Sequence, residues 1–300
     1  VTLFSATRCL FHGIIIRNMQ TKWMTVGMVV RLAFMYGLSL VFLHAGLPIE
    51  GWTGAVIFLV GMMVEAAVSI WEGKSIYRRM PDQLPDSTIR TARDVFPFYR
   101  PLVITALFSV VLGPMINVML GKTASIELAI ASFAVAQSVT NIVTSFYSYM
   151  HQIVLNFHHR NAGAVRKFAV TFNFVPALLI AAAAFTPLGR LLVGAVVGGE
   201  GALLDESLRV LKAFVLLALA FPWVDYANGL AMLHRNTRFM MASQFGNVLT
   251  AFVVLLAAVV ATPGWNGTIG ALGQSCGVLA ELAVIWLLIF RLRRRRPGRP

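Results

Sequence analysis

The chain has 300 residues, of which 58% are hydrophobic and 12% charged, and its mean hydropathy is +0.77. Soluble domains are about half apolar and about a quarter charged, so this composition excludes a soluble globular fold. The net charge of +13 does not indicate nucleic-acid binding, because the basic residues lie in short clusters between long apolar runs. The two cysteines, Cys9 and Cys276, provide neither a disulfide framework nor the spacing of a metal site.

Eight apolar runs are long enough to cross a membrane as helices, since a hydrocarbon layer about 30 Å thick needs about 20 mostly apolar residues. The predicted spans lie near residues 23–45, 52–73, 95–120, 126–157, 168–189, 208–233, 239–262 and 267–290. The apolar segment 1–16 is too short to cross, which predicts the last part of a ninth helix. The sequence therefore predicts an all-α polytopic membrane protein whose chain starts inside a helix.

Lys and Arg residues are concentrated in alternate loops. The basic loops are residues 17–22, 74–93, 160–167, 235–238 and the tail at 291–296. Because basic loops stay on the cytoplasmic side, this alternation predicts a cytoplasmic C-terminus in the inner or plasma membrane. The arginines of the tail are interpreted as a topology anchor rather than as a nucleic-acid or lipid-headgroup site.

An internal repeat relates residues 13–68 to residues 229–284 without gaps, at a constant offset of 216 positions. Matched glycines and a matched intramembrane glutamate are harder to explain by composition than shared apolar residues are. The matched pairs include Thr21 with Thr237, Gly51 with Gly267, Gly61 with Gly277 and Glu65 with Glu281. The two copies run in the same direction by the charge rule, which indicates a parallel repeat with six helices per unit.

The repeat predicts a parent protein of twelve spans in two parallel six-helix bundles. Residues 1–77 would be the last third of the first bundle, and 78–94 a cytoplasmic linker. Residues 95–296 would be the complete second bundle, and 297–300 a cytoplasmic tail. The first four helices are then expected to precede Val1, so roughly a hundred or more residues of the parent would be missing from this fragment.

Two regions of the chain carry a resemblance to a known family. Residues 98–102 (Phe-Tyr-Arg-Pro-Leu) and 114–117 (Pro-Met-Ile-Asn) resemble the start of the second half of the progressive ankylosis protein family. Residues 264–271, continuing through Glu281 to the basic tail, are similar to that family's final Gly-x-x-Gly loop, helix and basic terminus. The family belongs to the MATE-like multidrug, oligosaccharidyl-lipid and polysaccharide (MOP) exporter superfamily.

The resemblance implies two six-helix bundles around a central cavity and export by alternating access. In the ankylosis branch the implied substrates are anionic metabolites such as pyrophosphate, nucleotide or citrate. The chain is therefore interpreted as a secondary-active exporter of anionic small molecules, with no cofactor and with H⁺ or Na⁺ as candidate coupling ions. A parallel repeat also suits rocking of one bundle against the other.

Glu65 and Glu281 lie near the middle of their spans and are repeat equivalents. A charged group at membrane depth costs about 2.5–3.5 kcal/mol or more unless it is paired or hydrated. Two hypotheses are open: a carboxylate that couples protons to transport, or a hydrogen-bonded glutamate that ties helices together within each bundle. Duplication favours the second hypothesis, whereas a difference between the two halves would favour function.

Three further charged residues are candidates for transport or coupling. Asp225 lies well inside its span, and its repeat equivalent is Cys9, beside Arg8. Arg8 could pair with Asp225 across a central cavity, or it could extend to the cytoplasmic surface. Arg31 is a candidate anion ligand, since a guanidinium binds phosphate and carboxylate in a bidentate manner.

Uncharged polar side chains supply the candidate cavity lining. They are Asn117 and a stripe at helical spacing formed by Gln137, Asn141, Ser145 and Ser148. Such groups either line a water-filled path or hold helices together by hydrogen bonds of ~0.6 kcal/mol each.

Other functions are weighed against anion export. The transport alternatives are a lipid-linked oligosaccharide or polysaccharide flippase and then a cation-coupled multidrug antiporter. An integral-membrane enzyme would need a clustered catalytic His or Asp, so no enzymatic activity and no metal site are predicted, while a non-transporting scaffold stays open. The predicted partners are the lipid bilayer and a small anion but no nucleic acid, and the protein is predicted to be a monomer.

Overall fold

The computed structural model describes residues 2–45, 51–80, 91–197 and 201–295, which form helices and short turns with no strand among them. The helices are α1 (Thr2–Arg17), α2 (Lys22–His44), α3 (Gly51–Tyr77), α4 (Ala92–Leu120), α5 (Ile126–Ser145), α6 (Met150–Phe157), α7 (Ala162–Phe172), α8 (Val175–Phe185), α9 (Pro187–Val197), α10 (Ala202–Leu233), α11 (Thr237–Ala261) and α12 (Gly267–Arg295). A short 3-10 turn, Pro263–Trp265, joins α11 to α12.

Eight helical segments in the described ranges are long and apolar enough to cross a membrane. They coincide with the eight predicted spans, so the prediction of an all-α, multi-pass membrane protein is confirmed. Helix α1 has 16 residues and corresponds to the short apolar segment at the start of the sequence.

Two predicted spans are interrupted helices. The span near 126–157 consists of α5 and α6, which are separated by a turn at residues 146–149. The span near 168–189 consists of α7 and α8 and ends at Phe185. Thr186 is extended, with φ −114° and ψ 164°, because a residue that precedes proline is disfavoured from helical geometry. Helix α9 then begins at Pro187.

The chain divides into two compact units, residues 1–88 and 89–300. In the first unit, α3 packs against both α1 and α2. In the second unit, α10 packs against α5, α6, α8 and α12, and α11 packs against α4 and α12. The core of the second unit therefore centres on α10, where Leu211 and Phe214 are completely buried.

The two copies of the sequence repeat share one local structure. Helices α1, α2 and α3 correspond in order to the last part of α10, α11 and α12. Met19 (φ 58°) and Arg235 (φ 56°) follow α1 and α10, and these left-handed residues are 216 positions apart. The repeat therefore extends from sequence to backbone conformation.

The hydrogen bonds of this turn are also the same in both copies. Gln20 N donates to Ile15 O, and Met19 N donates to Ile16 O. In the second copy the donors are the nitrogens of Asn236 and Arg235, and the acceptors are the carbonyls of Ala231 and Met232. This is the Schellman motif, in which glycine is the usual left-handed residue.

Replacement of Met19 or Arg235 by glycine is expected to stabilise the protein by about 1 kcal/mol, because glycine avoids the steric cost of the left-handed conformation. Thermal unfolding of the purified protein in detergent measures the change. Arg17→Gly, inside the last turn of α1, is the control and should destabilise by about 1 kcal/mol. Equal losses at Met19 and Arg17 would contradict the assigned turn.

Candidate functional site

A polar cavity of about 520 Å³ lies within the second unit. Side chains from α4, α5, α10, α11 and α12 line it, together with Ser148 from the turn between α5 and α6. The polar lining residues are Thr105, Ser109, Asn141, Thr144, Ser145, Ser148, Asp225, Asn228, Gln244, Asn247, Gln274 and Glu281. The cavity thus brings together polar side chains from helices that are distant in sequence.

The structure places many of the predicted site residues at this cavity. Asn141, Ser145, Ser148, Asp225 and Glu281 all line it. Gln137, the first residue of the predicted stripe, does not line the cavity itself. Its Nε2 donates a hydrogen bond of 3.4 Å to Oε1 of Gln274, which does. Asn117 is exposed on α4 and is not among the lining residues.

Glu281 is held by two amide side chains from α11. It is 6% exposed, and Nδ2 of Asn247 donates to its Oε2 at 2.7 Å. With its amide nitrogen turned towards the carboxylate, Gln244 donates to both oxygens, at 3.1 and 3.3 Å. Two neutral donors therefore bind this carboxyl group, and no cation is among these hydrogen-bond partners.

Asp225 joins α10 to the interrupted helix. Its Oδ2 accepts a hydrogen bond of 2.8 Å from the backbone N of His151, in the first turn of α6. The ring Nδ1 of His151 lies 3.0 Å from both carboxylate oxygens. A carboxylate at a helix N-terminus satisfies a donor that has no partner within the helix, so Asp225 stabilises the start of α6.

Gly229 allows α6 to lie close to α10. A Cβ atom at this position would lie 2.9 Å from the Cα of His151. This distance is too short for a contact between a Cβ and a backbone atom. Glycine is therefore required at position 229 for α6 to lie where His151 bonds to Asp225.

The first unit contains a second buried carboxyl group, Glu65, which is 1% exposed. Its Oε1 accepts a hydrogen bond of 2.8 Å from Nη1 of Arg8, and its Oε2 accepts one of 3.0 Å from Nη1 of Arg31. Both arginine side chains are 22% exposed. The guanidinium of Arg31 also lies 5.2 Å from the centre of the Phe58 ring. We call Arg8, Glu65 and Arg31 the arginine triad.

The two carboxyl groups occupy equivalent places in the repeat. Arg31 and Asn247 are 216 positions apart, as are Glu65 and Glu281. Within each copy the donor precedes the glutamate by 34 positions, Arg31 before Glu65 and Asn247 before Glu281. The arginine triad carries a net charge of +1, whereas Glu281 with its two amides carries −1 when ionised and zero when protonated. One framework therefore holds a cationic cluster in one unit and an acidic cluster in the other.

A matched glycine brings the two helices together in each copy. A Cβ on Gly61 would clash with the side chain of Met35, and it would lie 3.3 Å from Cγ of Arg31. A Cβ on Gly277 would clash with Asn247, and it would lie 3.2 Å from the Cβ of Ala251. The neighbours of the two glycines are repeat equivalents, Arg31 with Asn247 and Met35 with Ala251. Each glycine lets the two helices pack closely, so that the glutamate four residues later reaches its hydrogen-bond donor.

Sequence reasoning missed Gln244, Asn247 and Gln274, and it did not connect the polar residue His151 with Asp225. Asn247 could have been found by applying the repeat offset to Arg31. The other contacts have no such signal, because they join distant helices. Within the described residues, no group of three or more His, Cys, Asp and Glu side chains could hold a metal ion.

Comparison with known proteins gives no family assignment. No protein-family model matches the chain, and neither a curated protein nor a solved structure matches it. The family that the sequence resembles, with everything that the resemblance implies, therefore stays a prediction.

Glu65→Gln and Glu281→Gln are expected to differ in their effect on stability. Glu65→Gln leaves two partly buried guanidinium groups without their carboxylate and should destabilise by about 3 kcal/mol. Glu281→Gln keeps an oxygen that accepts from Asn247 and should change stability by less than about 1 kcal/mol. Thermal unfolding in detergent measures both variants. Similar losses of stability in the two variants would contradict the conclusion that Glu65 is held by cations and Glu281 by neutral amides.

Proposed function

We propose that this multi-pass membrane protein is a secondary-active exporter of anionic small molecules. In the proposal, Arg8 and Arg31 bind the anion, while Glu281 and Asp225 in the cavity of the second unit bind the coupling ion, H⁺ or Na⁺. Pyrophosphate, nucleotides and citrate are the substrate class, as the family resemblance implies. Two six-helix bundles would alternate access, in an inner or plasma membrane with the C-terminus in the cytoplasm.

The observation that carries the proposal is the arginine triad. It brings two guanidinium groups and one carboxylate together in the middle of apolar helices. Charged side chains at membrane depth mark binding sites for ions and substrates, and two guanidinium groups at one place suit an anionic ligand. Each guanidinium has five N–H donors in a planar fork, so both can bind a phosphate or carboxylate while they hold Glu65.

The difference between the repeat copies supports a functional role for these groups. A glutamate that served only to join two helices would need a hydrogen-bond donor in each copy but no difference in charge between the copies. Instead, the partner is a guanidinium at Arg31 and an amide at Asn247. The two copies therefore differ in the charge of the donor. They do not differ in the close packing of the two helices, because Gly61 and Gly277 contact equivalent positions. We therefore assign the anion to the first unit and the coupling ion to the second.

The cavity supports the second part of the proposal. Within the described part of the chain, its lining includes two carboxyl groups and no Lys or Arg. Polar groups at membrane depth line water-filled paths in transporters, and carboxyl groups there bind protons or cations.

The same cavity favours one alternative, a cation-coupled multidrug antiporter. Asp225 and Glu281 could bind an organic cation directly, and Phe221, Leu217 and Val278 provide apolar lining for it. In that case the arginine triad would have a structural role only.

Anion export should depend on the charge at Arg31. Arg31→Asn, which introduces the residue found at the equivalent position, should reduce export of citrate or pyrophosphate from proteoliposomes at least ten-fold, since a hydrogen bond to a charged group contributes about 1.5–3 kcal/mol. Arg31→Lys should retain part of the activity, because lysine keeps the charge but loses bidentate binding. Arg17→Gln, at the exposed end of α1, is the matched control and should transport normally.

The outcomes separate the two functions. If Arg31→Asn is folded and exports the anions at the normal rate, anion binding by the triad is wrong. If the protein instead transports a cationic dye, and Glu281→Gln abolishes this transport while Arg31→Asn does not, the antiporter is the correct assignment.

A further inference from the structure

A second cavity, of about 480 Å³, lies between α4 and α11 in the second unit. Arg100 from α4 and Arg238 from α11 both line it. The remaining lining is largely apolar and includes Phe96, Ile104 and Met241. None of these residues lines the polar cavity, so this is a separate feature of the unit.

A hydrogen bond between the two helices holds this cavity in place. The Oγ1 of Thr237 donates to the carbonyl oxygen of Phe98 at 2.9 Å, and Thr237 is buried. Arg238 directly follows Thr237, and Arg100 lies two residues after Phe98. The bond therefore fixes the backbone beside both arginines, so that they converge on one cavity from two helices.

The two guanidinium groups have no carboxylate to neutralise them there. No acidic residue lines the cavity, and none of the ion pairs in the described ranges involves Arg100 or Arg238. Arg100 and Arg238 are both exposed residues. Two like charges at one cavity repel each other, and a bound anion reduces this repulsion. The guanidinium is also the side chain best suited to bidentate binding of phosphate.

The positions of Arg100 and Arg238 along their helices indicate which kind of anion is available to them. Arg238 is the second residue of α11, so it lies at the end of its span. The α4 span, residues 93–120, is 28 residues long, about 42 Å, whereas the hydrocarbon layer is about 30 Å thick. Thr237, the first residue of α11, bonds to Phe98, so Arg100 lies near the same end of the spans as Arg238. Arg100 is about 11 Å from the start of the α4 span, which is within its excess length of about 12 Å, and Ile104 lies about 6 Å deeper along α4.

We infer that this cavity binds the phosphate of an anionic phospholipid. The phosphate lies between Arg100 and Arg238, and an acyl chain packs along Ile104 and Met241. The relevant chemistry is a phosphate ester, which a soluble metabolite could also provide, but the apolar lining favours the phospholipid. This binding does not depend on the exporter proposal, because it uses neither the arginine triad nor the polar cavity.

Native mass spectrometry of the purified full chain in detergent tests the inference, with phosphatidylglycerol, phosphatidylcholine and glycerol phosphate as probes. One positive charge near an anionic lipid surface changes affinity by about five-fold, so Arg100→Gln/Arg238→Gln should bind phosphatidylglycerol about 30-fold more weakly. Arg93→Gln/Arg235→Gln removes the same charge from α4 and from the turn before α11, outside the cavity. This control should change affinity less than two-fold.

A second variant tests the cavity with both arginines intact. Met241→Glu places a carboxylate in the cavity, where it competes with the phosphate, so phosphatidylglycerol binding should again fall. Equal losses in the two double variants, or normal binding by Met241→Glu, would overturn the inference. Glycerol phosphate binding as tightly as phosphatidylglycerol would overturn the phospholipid assignment, as would equal binding of phosphatidylcholine.

Discussion

A carboxyl group in the middle of an apolar helix must find its hydrogen-bond partners inside the protein, and the packing of both repeat copies meets this requirement. Glu65 and Glu281 obtain a donor from the preceding helix, 34 residues earlier in each copy. Gly61 and Gly277 lie one turn before these carboxyl groups and let the two helices approach closely. The helix contact and the polar contact therefore depend on each other.

The requirement for a donor does not determine which donor is used. A guanidinium and an amide both satisfy a carboxylate, but they leave different net charges at the same place. The first unit holds two arginines around one glutamate, and the second holds two amides. A duplicated framework can thus be kept for its packing while the charge at equivalent positions differs between the two units.

The spans were predictable because backbone in a hydrocarbon layer must satisfy its hydrogen bonds internally, and apolar runs of that length then form helices. The turn at residues 146–149 was not predicted, since hydropathy continues through it, although Thr186 before Pro187 carried a local signal. The stripe of Asn141, Ser145 and Ser148 lines the cavity, but exposed Asn117 does not. Sequence spacing shows which residues share a helix face. Only tertiary packing determines whether that face lines a cavity, contacts another helix or lies at the surface.

Positive charge is compensated in two ways in the described chain. Arg8 and Arg31 share Glu65, a carboxylate supplied by the protein, at a level where a charged side chain is costly unless it is paired or hydrated. Arg100 and Arg238 have no such carboxylate, yet they lie near the ends of their helices, where anions of the membrane surface are available. Depth therefore explains why one pair of arginines needed an internal partner.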